Sequence, residues 1–248
     1  MSWKKALLLG LATFMLALII VLPAAWVSAA LPSSVQCAAW SGSVWRGRCR
    51  ELSLSDGQKV VMKLSTLSWR LKPAALLGLK LKADFDSTWP QGSTAGEVAV
   101  SPSGAISVRG MDGRSELDRR FFGAMPAGWH GQIDIRDFDL DWRDGVIGRL
   151  GGELVVSDLK DARGTALGGY RLHFPSSVTG PFNGELTDTG GPLEVAAQLQ
   201  LTADQAWNLD GRMRVRDAGN TSLNRALDVL SSADASGWRR LTAAGQFR

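Results

Sequence analysis

The chain has 248 residues, 28 of them basic and 24 acidic, for a net charge of +4. Lys4 and Lys5 supply two of those charges, leaving 4 − 2 = +2 for the remainder, and the absence of any basic cluster excludes the dense positive footprint that nucleic-acid binding needs. Apolar residues run through the whole length without a Pro-rich or Gln/Asn-rich tract, which excludes extended disorder.

Met1 to Lys5 form a short positive tip, and residues 6–27 carry no charge. About 22 apolar residues at ~1.5 Å each cross a hydrocarbon core of roughly 30 Å. Lysines before this span and none after it point the amino terminus to the cytoplasm, and Trp3 and Trp26 stand at its two ends, where amphipathic rings favour the headgroup level. Val27-Ser28-Ala29 also offers the residues that a signal peptidase inspects, so a cleaved signal peptide is the alternative. The unbroken stretch from Ala6 to Leu22 is longer than a signal-peptide core and favours a retained anchor. On either reading residues 28–248 are exported. Cys37 and Cys49, the two cysteines, suit an oxidising periplasm, where such a pair forms a disulfide; two separate buried thiols are the alternative. No third or fourth ligand lies nearby, and the spacing matches no zinc pattern.

Beyond the cysteines, period-two alternation predicts strands over residues 60–69, 79–85, 131–142, 170–174, 193–201 and 207–215. Between Gly131 and Trp142 the phase slips near Asp137, where Ile133 and Ile135 give way to Phe138, Leu140 and Trp142, and this signals a bulge. Turn residues separate the strands at Asp56-Gly57, Ser101 to Gly104, Asp144-Gly145 and Gly190-Gly191-Pro192. Glycine followed by alternating apolar positions recurs at Gly96, Gly131, Gly152, Gly184, Gly191 and Gly211, which reads as glycine at strand entrances. The irregular spacing of these copies excludes a propeller or solenoid period. Short helical turns are predicted at Pro73 to Leu77, with Pro in first position, and at Ser115 to Phe122. The best helix runs from Thr221 to Leu230, with Leu223, Ala226, Leu227 and Leu230 on one face and Thr221 or Ser222 as its cap. Trp238 to Phe247 reads as a closing strand. The fold class is therefore mostly β: an N-terminal transmembrane helix, then one curled, mainly antiparallel sheet domain over residues 28–248 with a few short helices.

The search for chemistry finds little. His130 and His173 stand in unlike contexts and read as structural. No nucleophile elbow, zinc-binding His-Glu-x-x-His, phosphate loop or dinucleotide fingerprint occurs. Asp134, Asp137, Asp139, Asp141 and Asp144 open like a calcium loop, but Trp142 takes the place of the required Gly and Gly148 that of the bidentate Glu. The run reads instead as the solvated face of a strand. Ten Trp stand against one Tyr, and Trp40, Trp45, Trp69, Trp89, Trp129, Trp142, Trp207 and Trp238 read as core or sheet-edge packing. The expectation is a binding protein without cofactor, metal or catalytic residues.

Three groups of residues carry a family resemblance. The first is the tip and anchor with Leu22-Pro-Ala-Ala25 and Trp40-Ser-Gly-Ser-Val-Trp-Arg-Gly47. The second is Leu67-Ser-Trp-Arg-Leu-Lys-Pro-Ala-Ala-Leu-Leu77. The third is Leu167-Gly-Gly-Tyr-Arg-Leu172, Gly184-Glu-Leu-Thr-Asp-Thr-Gly-Gly-Pro-Leu193 and Leu209-Asp-Gly-Arg-Met213. In order and spacing these resemble the N subunit of the bacterial type II secretion system. The resemblance implies a single-pass inner-membrane protein with a periplasmic domain, a non-enzymatic accessory to the export of folded proteins across the outer membrane. Its implied partners are the inner-membrane platform or the outer-membrane secretin. The family is also similar, more loosely, to AsmA-like envelope proteins with groove-shaped sheets, which leaves periplasmic lipid binding or transfer as the alternative function.

Overall fold

The computed structural model describes Trp3, Gly10, Thr13 and residues 21–56, 59–117, 127–228 and 231–246. The chain divides into two compact units, Met1–Pro90 and Gln91–Arg248. In the first, a 3-10 helix (Ala24–Ala30) precedes β1 (Val35–Gly42), β2 (Arg46–Asp56), β3 (Lys59–Leu71) and β4 (Leu81–Trp89), with a second 3-10 helix (Pro73–Gly78) between the last two strands. Each of these strands pairs antiparallel with the next.

The second unit contains β5 (Gly92–Val100), β6 (Ile106–Glu116), β7 (His130–Arg143), β8 (Val146–Lys160), β9 (Ala166–Ser177), β10 (Phe182–Asp188), β11 (Leu193–Leu201) and β12 (Ala206–Val215). Helix α1 (Thr221–Asp228) then leads to β13 (Arg239–Gln246). Neighbours in this order again pair antiparallel. Tight turns with left-handed residues, such as Asp144 (φ 51°) and Gly145 (φ 82°) between β7 and β8, allow consecutive strands to pair directly. The expectation of a mostly β, antiparallel fold with few short helices holds.

The bulge expected near Asp137 is present, and it belongs to a line of three. Asp137 has φ 47°, and the β7–β8 register shifts between Arg136 and Asp139. On one side Gly110 of β6 is left-handed (φ 51°), and on the other Gly152 of β8 has φ 122°. Carboxylates hold the misaligned backbone: the Gly110 amide donates to Asp139 Oδ1 (2.9 Å), and the Asp137 amide donates to Asp112 Oδ1 (3.0 Å). Bulges at one level on adjacent strands bend all three together.

Bending brings apolar side chains on one face into contact. In the first unit Cys49, Leu52 and Leu64 are buried, with Val35, Cys37, Trp40, Leu67, Trp69 and Trp89 among the residues packed on them. In the second unit one cluster gathers Ile147, Leu150, Phe174, Phe182 and Leu201. The other gathers Leu167, Leu193, Val195, Met213 and Val215 beneath α1, which contributes Leu223 and Leu227.

Four details differ from the sequence reading. Gly131 and Gly191 lie at strand entrances as expected, but Gly152 and Gly211 lie inside strands, where they serve close approach instead. A Cβ on Gly184 would stand 2.7 Å from the Phe174 ring, and one on Gly211 would stand 2.5 Å from the Ala196 carbonyl. Gly47 and Gly245, outside the recurring pattern, lie likewise under the rings of Trp69 and Trp207. Second, α1 is capped by Asn220, whose Oδ1 accepts from the Leu223 amide at 3.2 Å; Thr221 and Ser222 already lie within the helix, and Ala226 is exposed. Third, Ser115 and Glu116 end β6 instead of starting a helical turn, and residues 118–122 lie outside the described ones, as do Leu230 and Phe247. Fourth, the strand expected from Leu79 starts at Leu81, because Leu79 turns left-handed (φ 52°) to close the 3-10 helix.

The transmembrane helix expected over residues 6–27 lies mostly outside the described residues. Among the described residues no helix is long and apolar enough to cross a membrane. The end of that stretch is already part of the folded unit: Pro23 bridges Ser43, the Val44 amide donates to the Leu22 carbonyl (2.8 Å), and Ala24 is 1% exposed. Pro23 lacks the amide that would continue a helix.

Cys37 and Cys49 form a disulfide with Cα atoms 6.0 Å apart. It joins β1 to β2 where both strands change phase, since Glu51 is left-handed (φ 53°) and Cys37 faces Leu52 while Cys49 faces Trp40. Closing a loop of this size stabilises by about 3 kcal/mol on the chain-entropy model. The double variant Cys37→Ala/Cys49→Ala is therefore expected to lose about 3 kcal/mol in urea unfolding, and reduced wild type should match it. Equal midpoints for variant and wild type would remove this assignment.

Candidate functional site

The sequence motifs interlock in space, one group within each unit. In the first unit Trp69 lies over Gly47, meets Trp40 edge-on at 5.9 Å between centroids, and donates from its indole Nε1 to the Val44 carbonyl at 2.8 Å. The two tryptophan segments thus form one knot around the β1–β2 turn. In the second unit Gly168 of β9 (φ 99°) meets the turn between β10 and β11. A Cβ at Gly168 would stand 2.6 Å from the Gly190 carbonyl, and one at Gly191 (φ 121°) would stand 2.6 Å from Gly168 Cα. No side chain fits on either partner, so the glycine pairs of two separate motifs meet here.

Asp188 ties this turn to the strands beyond it. Its Oδ1 accepts from the Gly190 amide (3.1 Å) and from Arg216 Nη2 (2.5 Å), and its Oδ2 accepts from the Val195 amide (3.2 Å). Burial pushes the Asp188 carboxyl up, but the Arg216 guanidinium and the two backbone amides outweigh it and hold the group below its ordinary value. Opposite it on β9, Tyr170 donates to the Leu167 carbonyl at 2.6 Å. Burial and the Asp188 charge push its phenol up to about 12.

Charge then continues across the outward face. Arg214 pairs with Glu194 at 2.7 Å and Arg240 with Asp210 at 3.5 Å. The guanidiniums of Arg212 and Arg214 stand 4.5 and 4.6 Å from the centroid of the Trp238 ring, within range for cation–π attraction. On the inward face Arg239 is 4% exposed and reaches Asp228 of α1 at 2.6 Å, clamping the helix to β13.

Strand β13 pairs only with β12 among the described residues. Its residues from Thr242 to Gln246 are all exposed. In an antiparallel strand every second residue directs its amide and carbonyl away from the existing partner, so this edge presents a row of main-chain donors and acceptors. Thr242, Ala243, Ala244 and Gly245 add little bulk, and Arg240 stands at one end. The β1 side differs, because the 3-10 helix Ala24–Ala30 packs against it.

The remaining sequence candidates lie apart from this edge. His130 begins β7 opposite Lys160, and His173 lies on β9 opposite Glu153 and Glu185. The acidic run on β7 is bound up in the sheet: Asp134 pairs with Arg114 (2.5 Å), Asp141 with Arg109 (2.5 Å) and Arg149 (3.4 Å), and Asp144 with Arg143 (3.3 Å). Among the described residues no group of three or more His, Cys, Asp or Glu could hold a metal ion. Sequence reasoning missed Asp188, Arg239 and the Trp238 stack, whose signals depend on cross-strand partners.

The family model for "Type II secretion system (T2SS), protein N" matches residues 33–242, a range that takes in both knots and the first residues of β13. No curated protein matches the chain, and no solved structure does.

Because its folded pKa is depressed, Asp188 contributes stability that is fully present at neutral pH and lost as pH falls through that depressed value. Asp188→Asn is expected to lower stability by about 2 kcal/mol at neutral pH and to flatten the acid limb of a pH–stability curve. Thermal melts from neutral to strongly acidic pH test this, and parallel wild-type and variant curves would count against it.

Proposed function

The chain belongs to the type II secretion system protein N family, and from that membership we propose that it serves as a non-enzymatic accessory subunit of the secretion machine. In this reading the amino-terminal apolar stretch holds the chain in the inner membrane, and both units lie in the periplasm. The protein assists export of folded proteins by binding another secretion component, and β13 receives a strand of that partner.

The open edge of β13 carries this reading. Main-chain hydrogen bonds supply affinity in strand addition, and side chains at alternate positions supply selectivity. The exposed run from Thr242 to Gln246 leaves the rim of β13 accessible, and the pairing of buried Arg239 with Asp228 fastens its start. The Trp238 ring with its two guanidiniums lies beside that template, and aromatic and Arg side chains are favoured at interface hot spots. The charged groups described here are engaged in cross-strand pairs and turns that organise the sheet, which supports binding over catalysis.

Deleting the gene should leave secreted enzymes in the periplasm, and the wild-type chain should restore their export. Thr242→Lys/Ala244→Lys places charges on exposed positions of the edge, a substitution that blocks strand addition and changes stability by only about 0.5 kcal/mol. The variant should fold, remain in the membrane and fail to restore export. Full restoration by this variant would rule out the β13 edge, and unchanged export in the deletion strain would rule out the accessory role itself.

A further inference from the structure

The segment between β3 and β4 exposes apolar side chains that its own unit does not cover. Leu76 is 42% exposed, Leu77 93%, Leu79 74% and Leu81 52%. The 3-10 helix Pro73–Gly78 buries none of its residues. Leu79 closes it in a left-handed conformation that a branched side chain rarely adopts, so the backbone departs from its favoured region while the leucine still faces outward. Basic residues flank the leucines: residues 70–82 contain Arg70, Lys72, Lys80 and Lys82 and no acidic residue, and Lys72 pairs with Asp84 of β4 at 2.7 Å.

A chain of hydrogen bonds fixes where this segment lies. The Leu22 carbonyl accepts from the Val44 amide (2.8 Å), and the Val44 carbonyl accepts from Trp69 Nε1 (2.8 Å). The Trp45 carbonyl accepts from the Leu71 amide (2.8 Å), and the Lys82 carbonyl accepts from the Lys72 amide (2.8 Å). The exit of the uncharged amino-terminal stretch, the β1–β2 turn and the leucine segment therefore share one end of the four-stranded sheet. Val21 and Trp26, 71% and 63% exposed, flank that exit.

We propose that residues 73–81 form a second membrane contact, a peripheral one. Leu76, Leu77, Leu79 and Leu81 enter the headgroup–acyl boundary of the leaflet at which the amino-terminal stretch ends. Apolar side chains flanked by Lys and Arg match an anionic bilayer surface on both counts, since the apolar groups gain by burial in the acyl boundary and the cations by contact with lipid phosphates. Lysine stems can lie along the apolar surface while their ammonium groups reach the phosphates. The contact would hold the first unit against the bilayer at a fixed tilt, which a single point of attachment does not do. This proposal rests on the reading that the amino-terminal stretch crosses the membrane.

The test uses the full chain in vesicles of phosphatidylethanolamine and phosphatidylglycerol that contain nitroxide-labelled lipid. A fluorophore is attached at Leu77→Cys and, for comparison, at Val178→Cys, a site 58% exposed in the second unit. Lipid quenching several-fold stronger at position 77 is the expected result, reduced by Leu76→Ser/Leu79→Ser. Equal quenching at both sites in a chain that floats with the vesicles overturns the leucine contact alone. A chain that does not float with them overturns the anchor reading beneath it. Protection of the position-77 fluorophore by solubilised membrane proteins instead of lipid would assign the segment to a protein partner and overturn the proposal.

Discussion

Both units face the same constraint: long antiparallel strands with almost no helical cover must bury an apolar face against themselves. Among the described residues, α1 (Thr221–Asp228) is the α-helix that packs on the sheet, and it shields only the cluster around Leu193 and Met213. Elsewhere the sheet bends until neighbouring side chains meet, and that requires places where the backbone leaves the regular ladder. The line through Gly110, Asp137 and Gly152 is one. Asp158 (φ 52°) on β8 and Gly168 (φ 99°) on β9 make another. Aromatic rings then lie across the strands where a partner has no side chain, as Trp69 does over Gly47, Phe174 at Gly184 and Trp207 over Gly245. Each ring covers backbone that would otherwise meet water, and it restores packing that glycine alone forfeits in a strand.

The opposite face is organised by charge, and the two faces depend on each other. A bulge leaves amides without ladder partners, and a nearby carboxylate can accept from them in place of the missing carbonyl. Carboxylates take those amides: Asp139 at Gly110, Asp112 at Asp137, and Asp188 at Gly190 and Val195. Arginines on adjacent strands in turn hold several carboxylates in place, as Arg109 of β6 and Arg149 of β8 hold Asp141 of β7. The acidic run on β7 is thus part of the bending apparatus. Its resemblance to a calcium loop came from period-two spacing on a strand, where alternate carboxylates share one face.

Features that depend on local period were legible in the sequence. The strands at 193–201 and 207–215, the bulge at Asp137 and the apolar stripe of α1 through Leu223 and Leu227 follow from alternation or helical spacing within a few residues. Features that depend on what lies across the sheet were not. Whether a glycine opens a strand or lies under a ring is decided by a partner up to tens of residues away, so Gly184 read the same as Gly96. Arg239 and Arg240 look alike in the sequence, yet one is 4% exposed and clamped to Asp228, while the other is on the outer face. Asn220, Thr221 and Ser222 are all good cap residues standing side by side, and only the helix start distinguishes them.

The same reasoning bears on why β13 stays open. Proteins usually blunt a free edge with lysines, proline, a bulge or a covering segment. The β1 side follows that practice, with the 3-10 helix Ala24–Ala30 packed against it. From Thr242 to Gly245 the edge of β13 has none of the blunting residues, and the Arg239 clamp rigidifies its start. An open strand of small residues, fastened at its start by the pairing of Arg239 with Asp228, is a standing aggregation hazard unless something occupies it. Under the proposed accessory role that occupant is a strand of a partner, whose main chain would satisfy the donors and acceptors along the β13 edge.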